Sequence, residues 1–472
     1  MTRMYERVGM EEDEKSASMD LNGRALGIVG KWGGGQCDRD EDVEMAVKSL
    51  SPRSRVVPSC GGGGAGKGDS GAVLDSPEGK SGLRLASLDV FRGISVVLMI
   101  FVDNAGRVFP AVNHSPWNGL TLADFVMPFF LFIVGVSLAL AYKKMPSKNV
   151  ATRKMLLRAL KLIALGVFLQ GGYFHGVGKL TYGVDIQHMR VLGILQRIAI
   201  AYLISALCEI WLKRDGDVSS GYDLLQKYQY HWILVMLLTT AYIALTYGLF
   251  VPDWHYQLPS QSERIVVKCG VRGDMGPACN AAGLIDRTIL GIPHLYGKPV
   301  YRRTKQCSIN SPDYGPLLPN APSWCQAPFD PEGLLSSVMA IITCLVGMHF
   351  GHVIVHFKDH GDRIYHWMAS SSCLVVIGFI FELFGMEVNK VLYTCSYMCI
   401  TGGVAGILFI GLYLLVDYSR HRGTTIVLEL IGKHALLIFI LAATNVVPVM
   451  LQGFYWKRPE NNILGIFGIR RS

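Results

Sequence analysis

Charged residues are scarce in this chain. Lysine, arginine, aspartate and glutamate make up 17% of its 472 residues, whereas 50% of the residues are hydrophobic and the mean hydropathy is +0.32. The formal net charge of +9 is spread over the N-terminal tail and short connecting segments. A nucleic-acid-binding protein instead concentrates its basic residues on one surface. The composition therefore excludes nucleic acid as a partner and favours contact between these charges and lipid headgroups.

Metal-binding and targeting signatures are also missing. No two cysteines stand at CxxC spacing, and the histidines lack the accompanying carboxylate pattern typical of zinc sites. The N-terminal region contains no apolar stretch of signal-peptide type. It mixes charged clusters with Gly-, Ser- and Pro-rich stretches, so we expect residues 1–82 to form a disordered cytosolic tail. Neither a resident metal ion nor a cleaved leader is expected.

Long apolar runs dominate the rest of the chain. Runs of about 17–25 residues recur, and this length crosses a hydrocarbon core roughly 30 Å thick. They predict an all-α fold, a polytopic bundle of membrane helices within a domain over residues 83–450. We expect nine spans, at 88–105, 121–141, 155–172, 191–212, 232–250, 333–354, 367–385, 395–416 and 425–450.

The basic residues of the short loops predict the orientation of the bundle. The loop after the second span is the richest, with Lys143, Lys144, Lys148, Arg153 and Lys154. The positive-inside rule makes this side, and hence the N-terminus, cytosolic. The long loop at 251–332 and the tail at 451–472 are then luminal. We expect a multi-pass protein of an endomembrane of lysosome or vacuole type, or of the plasma membrane.

Four of the 11 cysteines lie in the long loop. Cys269, Cys279, Cys307 and Cys325 form an even set on the oxidising side of the membrane, where disulfides persist. Three pairings are possible. We favour Cys269 with Cys279 and Cys307 with Cys325, because each of these pairs closes a short local loop.

A histidine and a carboxylate stand in a polar turn between the first two expected spans. His114 lies within the turn, and Asp124 lies at the mouth of the second span. Ionisable groups at a membrane are costly unless they have partners or a task. Because an imidazole titrates near neutrality, it can take a proton from a reacting group. We therefore expect chemistry at this turn.

Several short motifs follow one another from residue 84 onward. They are Arg84–Gly93, Phe101–Gly106, His114–Gly119, Ala123–Pro128, Gly193–Ala199, Gly283–Arg287, His294–Tyr296, Phe329–Leu334 and Gly432–Leu437. In order and composition they closely resemble the catalytic domain of heparan-alpha-glucosaminide N-acetyltransferase and its bacterial and plant relatives. The resemblance covers about residues 84–450 and looks plant-like.

The resemblance implies an activity. Family members move the acetyl group of cytosolic acetyl-CoA to an amino sugar across the membrane, and the histidine that matches His114 is their catalytic residue. His114 would act as a general base or would first accept the acetyl group itself. Acetyl-CoA, an amino-sugar acceptor and membrane lipids are the implied partners, without a metal. A homodimer is a possible assembly.

The resemblance also indicates partners for His114, with alternatives. Asp124 would orient the imidazole and stabilise its charged form, or would serve as a helix N-terminal carboxylate favoured by the macrodipole. The family has an asparagine that helps to hold the acetyl carbonyl or the substrate. Counting back from His114 aligns Asp103 with it, whereas residue type favours Asn104.

Five residues are candidates for binding acetyl-CoA or organising its cavity: Asp89, Arg92, Arg197, Lys433 and His434. Arg92 is well placed for the pyrophosphate, because a guanidinium binds phosphate oxygens with charge-assisted hydrogen bonds. Arg197 would equally pair with an acidic residue of the bundle: Asp89, Asp124 or Glu209. Lys433 and His434 stand where relatives have Met-Asn, and a snorkelling lysine is equally compatible with the pattern.

Two other functional classes stay open. A transporter would line its pathway with Arg197, Glu209, Glu382 and Lys433, although the spacing of the spans shows no strong inverted repeat. An inactive scaffold would fit Asp103 and the end at Ser472, where relatives continue into at least one more span. Binding of acetyl-CoA by the purified protein separates an acetyltransferase from a permease.

Overall fold

The structure is a computed structural model of the chain. It describes residues 85–106, 111–143, 147–174, 182–184, 189–214, 216–257, 264–420 and 423–444. The two expected tails, 1–82 and 451–472, lie outside the described residues, so their nature stays a prediction.

Helices account for most of the described residues. The α-helices are α1 (Ala86–Ala105), α2 (Val126–Ala141), α3 (Lys148–Gly171), α4 (Ile194–Trp211), α5 (Gly221–Lys227), α6 (Gln229–Gly248), α7 (Ala281–Ile289), α8 (Leu334–His356), α9 (His360–Leu383), α10 (Cys395–Tyr413), α11 (Ile426–Lys433) and α12 (Ala435–Ala443). Short 3₁₀ turns span Leu122–Phe125, Ile292–His294, Val300–Arg303 and Ser323–Gln326, and a π-helical turn spans Leu414–Tyr418.

Two antiparallel hairpins interrupt the helical pattern. Strand β1 (Gly172–Phe174) pairs with β2 (Tyr182–Val184), and β3 (Trp254–Gln257) pairs with β4 (Arg264–Val267). Both hairpins lie in connections between helices. The prediction of an all-α fold therefore describes the bundle correctly and misses these short strands.

Six helices among the described residues are long and apolar enough to cross a membrane: Leu122–Ala141, Ile194–Trp211, Gln229–Gly248, Leu334–His356, His360–Leu383 and Cys395–Tyr418. The bent pair of α11 and α12 makes a seventh if it counts as one span. Helices α1 and α3 have the length, but every 18-residue window in them holds three or more charged residues. A helical membrane protein is thus confirmed, whereas the count of nine spans stays unconfirmed.

Two helices begin earlier than their apolar runs. Helix α3 begins at Lys148, not at 155, so Arg153 and Lys154 lie on a helix and not in a loop. Helix α9 begins at His360, not at 367, because the Asp359 carboxylate caps it by accepting hydrogen bonds from the next amides. An apolar run marks the hydrocarbon-crossing part of a helix, whereas the helix itself continues into charged turns.

The ninth expected span is broken. Helices α11 and α12 meet at His434 with a bend of 73°. Helix α11 packs closely on α1, since a Cβ at Gly432 would lie 1.8 Å from the Asp89 carbonyl oxygen and a Cβ at Gly93 would lie 1.9 Å from the Leu428 carbonyl oxygen. This two-sided contact holds α11 against α1 while α12 turns away. The described part of the span expected at 425–450 is therefore a bent pair of helices, and its standing as one span stays unconfirmed.

Helix α8 lies at the centre of the bundle, and 83% of its most apolar window is buried. It meets α2 through two glycines: a Cβ at Gly135 would lie 2.0 Å from the Cys344 carbonyl oxygen, and a Cβ at Gly347 would lie 2.1 Å from that of Phe132. Because these positions have no side chain, the two backbones touch. The ends of α2 and α8 are thereby fixed relative to each other.

Three connections meet at one end of the bundle, which we call the loop end. They are residues 111–125, the described parts of 249–333 (249–257 and 264–333) and 384–394, joined by hydrogen bonds such as Gly119 N–H to the Val388 carbonyl (2.9 Å). The structure has disulfides Cys269–Cys279 and Cys307–Cys325 in the longest connection. The pairing predicted from loop length is therefore confirmed.

Candidate functional site

His114 and Asp124 face each other at the loop end. Nδ1 of His114 lies 3.0 Å from Oδ1 of Asp124. The other carboxylate oxygen, Oδ2, accepts hydrogen bonds from the Thr121 backbone N–H (3.0 Å) and hydroxyl (2.9 Å), and the first of these belongs to a capping box before helix α2. One carboxylate oxygen thus faces the imidazole and the other caps the helix start, so the geometry is compatible with both interpretations of Asp124. The cap holds the carboxylate still, so Oδ1 has a fixed direction toward the imidazole.

Lys390 completes this group, and the sequence prediction missed it. Its Nζ lies 2.6 Å from Nδ1 and 3.4 Å from Nε2 of His114, and 3.3 Å from Oδ1 of Asp124. A signal existed in the sequence, because Lys390 is the lone basic residue in its short connection, which lies on the expected luminal side. We call His114, Asp124 and Lys390 the His114 group.

The connection that carries Lys390 is fastened to the His114 turn. The side-chain amide of Asn389 donates a hydrogen bond to the side-chain oxygen of Asn118 (2.8 Å), and the backbones of the two residues form an isolated β-bridge. Asn389 is buried, and its own side-chain oxygen accepts the Leu392 N–H at 2.9 Å. Tyr393 completes the turn in the left-handed region, with φ of 54°. The backbone at Lys390 is therefore anchored on both sides.

Arg303 holds the backbone of the His114 turn from the long connection. Its Nη2 donates to the Asn113 side-chain oxygen (2.8 Å) and to the His114 carbonyl (2.9 Å). The same Asn113 oxygen accepts the His114 amide N–H at 2.8 Å. The 3₁₀ turn at Val300–Arg303 directs this guanidinium, and it follows that the long connection helps to shape the turn.

The electrostatics keep the imidazole neutral. Burial and the Lys390 ammonium lower the pKa of His114 from 6.5 to about 4, against the opposing effect of Asp124. Burial also lowers the pKa of Lys390, although Asp124 and Glu332 favour its charged form. A neutral imidazole has a lone pair on one nitrogen, so at neutral pH His114 is in the form that accepts a proton.

A second ionic group borders the first. The Arg190 guanidinium binds the Asp330 carboxylate, with Nε 2.9 Å from Oδ2, and also contacts Glu332. It lies over the Tyr296 ring at 4.5 Å from the centroid. Burial favours the neutral form of Glu332, but Arg190 and Arg197 outweigh it and lower the pKa of Glu332. This second ionic group consists of Arg190, Asp330 and Glu332, and its Glu332 carboxylate acts electrostatically on Lys390.

Arg197 does not have the partners expected from the sequence. Its Nη2 donates to the Pro331 carbonyl (2.7 Å) and to the Ser336 hydroxyl, and its guanidinium lies 5.6 Å from the Tyr393 ring centroid. It belongs to the first turn of α4 at the loop end. The expected pairing with Asp89, Asp124 or Glu209 is therefore wrong, because helix α4 directs Arg197 at the start of α8.

Asp89 and Arg92 occupy the opposite end of the bundle, in the first two turns of α1. Arg92 Nη1 donates to Asp89 Oδ1 (2.8 Å), and its Nη2 donates to the Ser137 hydroxyl (3.1 Å). Lys433 and His434 lie on the neighbouring helix break and are exposed. Lys433 forms an ion pair with Glu429 at 2.6 Å. These four candidates share one end, whereas Arg197 lies at the other.

The last turn of α1 brings Asp103 toward the His114 group. Asp103 is exposed, and the Lys390 ammonium attracts its carboxylate. The side chain of Asn104 lies outside the described part of the structure. The choice between these two residues as the polar assistant therefore stays open.

A second histidine–carboxylate group lies inside the bundle near the opposite end, and we call it the Glu209 group. Glu209 Oε2 lies 2.7 Å from His352 Nε2 and 3.6 Å from His231 Nε2, and Oε1 lies 3.3 Å from Lys213 Nζ. The Tyr228 ring stacks on the His352 ring at 3.5 Å. Within the described ranges, no group of three or more His, Cys, Asp or Glu side chains is arranged to hold a metal ion.

The fold and the site together define a class. This is a multi-pass helical membrane protein that holds a neutral imidazole, a capped carboxylate and an ammonium side by side in its loop end. The imidazole and the carboxylate come from one short segment at the start of α2, and the ammonium comes from the turn before α10.

Comparison with known proteins supports an acyltransferase family. Residues 84–215 match the family model for the catalytic domain of heparan-alpha-glucosaminide N-acetyltransferase. The mouse enzyme of that name is 28% identical over 358 residues, 71% of this chain and 49% of the mouse protein. The human enzyme is 28% identical over 405 residues, 80% of this chain and 55% of the human protein. The chain spans about half the length of these relatives.

Proposed function

We propose that the chain is a transmembrane acetyltransferase that moves the acetyl group of acetyl-CoA to the amino group of an amino sugar or a related acceptor. The observation that carries this proposal is the 3.0 Å contact between His114 and Asp124. Both residues lie within the segment that matches the family's catalytic domain. The relatives' name supplies the reaction class, and the site geometry supports it.

The chemistry requires the acceptor amine to lose a proton as its nitrogen attacks the acetyl carbon. Nε2 of His114 is the atom to receive that proton, because Nδ1 faces Asp124. The Asp124 carboxylate accepts a hydrogen bond from Nδ1–H, fixes the tautomer and stabilises the imidazolium that forms. The same pair would equally support an acetyl-imidazole intermediate, which the acceptor amine then attacks.

The Arg92 end of the bundle suits the phosphates of acetyl-CoA, and the loop end suits its acetyl group. Arg92 and the C-cap residue Gly106 lie 14 positions apart, about 20 Å along the axis of α1 at 1.5 Å per residue. Phosphates bound near Arg92 and an acetyl group at His114 would therefore place the donor along the bundle. In the proposed orientation the Arg92 end is cytosolic and the loop end is luminal.

Reconstituted protein tests the proposal directly. Proteoliposomes receive isotopically labelled acetyl-CoA outside and a panel of amino sugars inside, and mass spectrometry detects the acetylated product. We expect transfer by the wild type and a loss of about a hundredfold to ten-thousandfold in His114→Ala, the usual value of general-base assistance. His352→Gln is the matched control, since it alters a histidine–carboxylate pair outside the site. Equal product from wild type and His114→Ala would refute the role of His114.

The residues expected to line a transport pathway do not meet in the structure. Glu209 is enclosed by Lys213 and His352, Arg197 binds the start of α8, and Lys433 pairs with Glu429 on the same helix. The structure therefore gives no specific support to a permease. Acetyl-CoA binding by the purified protein would separate the proposed enzyme from it.

A further inference from the structure

Nδ1 of His114 has two neighbours that it cannot bond at the same time. Lys390 Nζ lies 2.6 Å away and is a donor, whereas Asp124 Oδ1 lies 3.0 Å away and is an acceptor. An imidazole nitrogen either carries a hydrogen and donates, or carries a lone pair and accepts. The two contacts therefore represent two alternative states of one ring.

Each state sets the other nitrogen of the neutral ring. When Lys390 donates to Nδ1, the single ring proton lies on Nε2, and Nε2 has no lone pair with which to accept a proton. When Nδ1–H instead donates to Asp124, the lone pair lies on Nε2 and the ring is a competent base. The identity of the partner at Nδ1 thus switches the base off or on.

We propose that Lys390 controls this choice. While the site is empty, Lys390 donates to Nδ1, so that the ring proton stays on Nε2 and His114 cannot act as a base. When Lys390 moves to the carbonyl oxygen of the acetyl thioester, it frees Nε2 to accept a proton and stabilises the developing oxyanion. This inference rests on the proposed acetyltransferase function and assigns that reaction a further catalytic residue.

The position of the ammonium supports both tasks. Nζ lies beside the ring, 3.4 Å from Nε2 as well as 2.6 Å from Nδ1. A carbonyl placed for attack by an amine that Nε2 deprotonates must lie close to Nε2, and hence close to Nζ. An ammonium carries three donors, so Lys390 can keep its 3.3 Å contact with Asp124 while another hydrogen changes partner.

The charges around Lys390 allow a short movement of the side chain. Asp124 and Glu332 attract the ammonium, and Arg303 repels it from the side of the long connection. The backbone stays in place, because the buried Asn389 is fixed to Asn118 and to its own turn. The flexible lysine stem is thus the part that moves.

The transfer step balances without an oxidant or a further reactant. The acceptor nitrogen forms a bond to the acetyl carbon, and the carbonyl electron pair moves to the oxygen that faces Lys390. Nε2 takes the proton from that nitrogen. The oxyanion then collapses, the carbon–sulfur bond breaks, and the leaving thiolate receives the proton from Nε2. The products are the acetylated amine and coenzyme A with a free thiol.

Lys390→Met tests the role of the ammonium, since it keeps the length of the stem and removes the charge. We expect kcat to fall by about a hundredfold to a thousandfold, as on removal of an oxyanion donor. The acid limb of the pH profile of kcat/KM should also move to higher pH, because protonation of His114 is no longer opposed by a neighbouring cation. Lys305 is an exposed lysine of the long connection, so Lys305→Met is the matched control. We expect it to leave kcat and the acid limb unchanged.

A measurement without turnover separates this inference from the proposed function. The chain has 13 histidines, and subtracting the ¹⁵N spectrum of His114→Gln assigns the signals of His114. We expect the Nε2–H tautomer in the substrate-free wild type and the Nδ1–H tautomer in Lys390→Met. The same tautomer in both proteins, or wild-type kcat with an unmoved acid limb in Lys390→Met, would overturn the role of Lys390. Absence of acetylated product from the wild type would instead refute the proposed function.

Discussion

The bundle contains two groups that each combine an imidazole, a carboxylate and a lysine ammonium. His114, Asp124 and Lys390 meet at the loop end, and His352, Glu209 and Lys213 meet inside the opposite half. The histidine–carboxylate distances are similar, 3.0 Å and 2.7 Å, and both carboxylates are fully buried. The histidines differ, because the His114 side chain is 31% exposed and the His352 side chain is 3% exposed. Composition and distance alone therefore do not distinguish a reaction site from a buried ion pair.

The lysines show the physical difference between the groups. Lys213 lies four residues after Glu209, just past the end of helix α4, and binds the carboxylate oxygen that does not face His352. Lys390 comes from a distant turn and contacts the imidazole nitrogen that Asp124 also faces. The Glu209 group is satisfied in one arrangement, whereas the His114 group has two. Under the proposed role of Lys390, these two alternative partners of Nδ1 suit the His114 group to exchange a proton.

The largest difference in kcat between the two groups should appear when their carboxylates are replaced by amides. We expect Asp124→Asn to lower kcat by about a hundredfold or more, because an amide that donates to Nδ1 selects the wrong tautomer. Glu209→Gln should leave kcat within about threefold, since its partners lie away from the acceptor side. Single-turnover assays on matched amounts of folded protein measure both. Similar losses in the two variants would remove the distinction between the groups.

For the free energy of unfolding, we expect the larger loss from a variant of the Glu209 group and the smaller loss from a variant of the His114 group. His352→Ala removes one partner of a buried carboxylate, and such losses cost roughly 3–5 kcal/mol. His114→Ala should change the unfolding free energy by about 1 kcal/mol or less, because the His114 side chain is partly exposed and the Asp124 carboxylate keeps its contacts with Lys390 and Thr121. Thermal unfolding in detergent measures the two shifts. A larger loss for His114→Ala would make the loop-end group the structural one.

The pH dependence of the wild type should reflect the neutral imidazole. The pKa of His114 is lowered to about 4, so the acid limb of kcat/KM should lie near that pH and not near 6.5. At pH 5.5 the enzyme would be almost fully active, whereas an unperturbed imidazole would be about 90% protonated. An acid limb near 6.5 would show that burial and the Lys390 ammonium do not lower the pKa of His114.

The smallest effect is expected at the contact that anchors Lys390. Asn118→Ala removes a hydrogen bond to Asn389, which should lower the unfolding free energy by about 1 kcal/mol. If the anchoring matters for chemistry, kcat should fall while the affinity for acetyl-CoA stays unchanged, because the donor's phosphates would lie at the other end. Asn461→Ala, in the C-terminal tail, serves as the control. Wild-type kcat in Asn118→Ala would show that the lysine needs no anchor.

Local features of the site could be predicted from the sequence, and long-range ones could not. His114 and Asp124 are ten residues apart in one turn, so their pairing was predicted from the segment that contains them. The disulfides likewise close local loops, with separations of 10 and 18 residues. Lys390 lies 276 residues from His114, and only the packing of the bundle brings the two together.

The errors in the predicted bundle have similar causes. Apolar runs located helices at all nine positions, but they gave wrong ends for α3 and α9, where charged turns continue the helix. Arg197 was expected near other acidic residues of the bundle because burial of a charge demands a partner. Its actual partners include a backbone carbonyl and a serine hydroxyl at the start of α8, and residue type alone gives no sign of these.

The bridge between Asn118 and Asn389 has a consequence for biogenesis. These residues lie 271 positions apart, so the ribosome must finish most of the chain before the two turns can meet. A nascent or prematurely terminated chain carries His114 and Asp124 in the membrane but has no anchored Lys390. Under the proposed role of Lys390, such an intermediate lacks the donor to the oxyanion and transfers acetyl groups about a hundredfold to a thousandfold more slowly. Efficient transfer is thereby coupled to completed insertion of the chain up to α10, and immature copies in the membrane consume little acetyl-CoA.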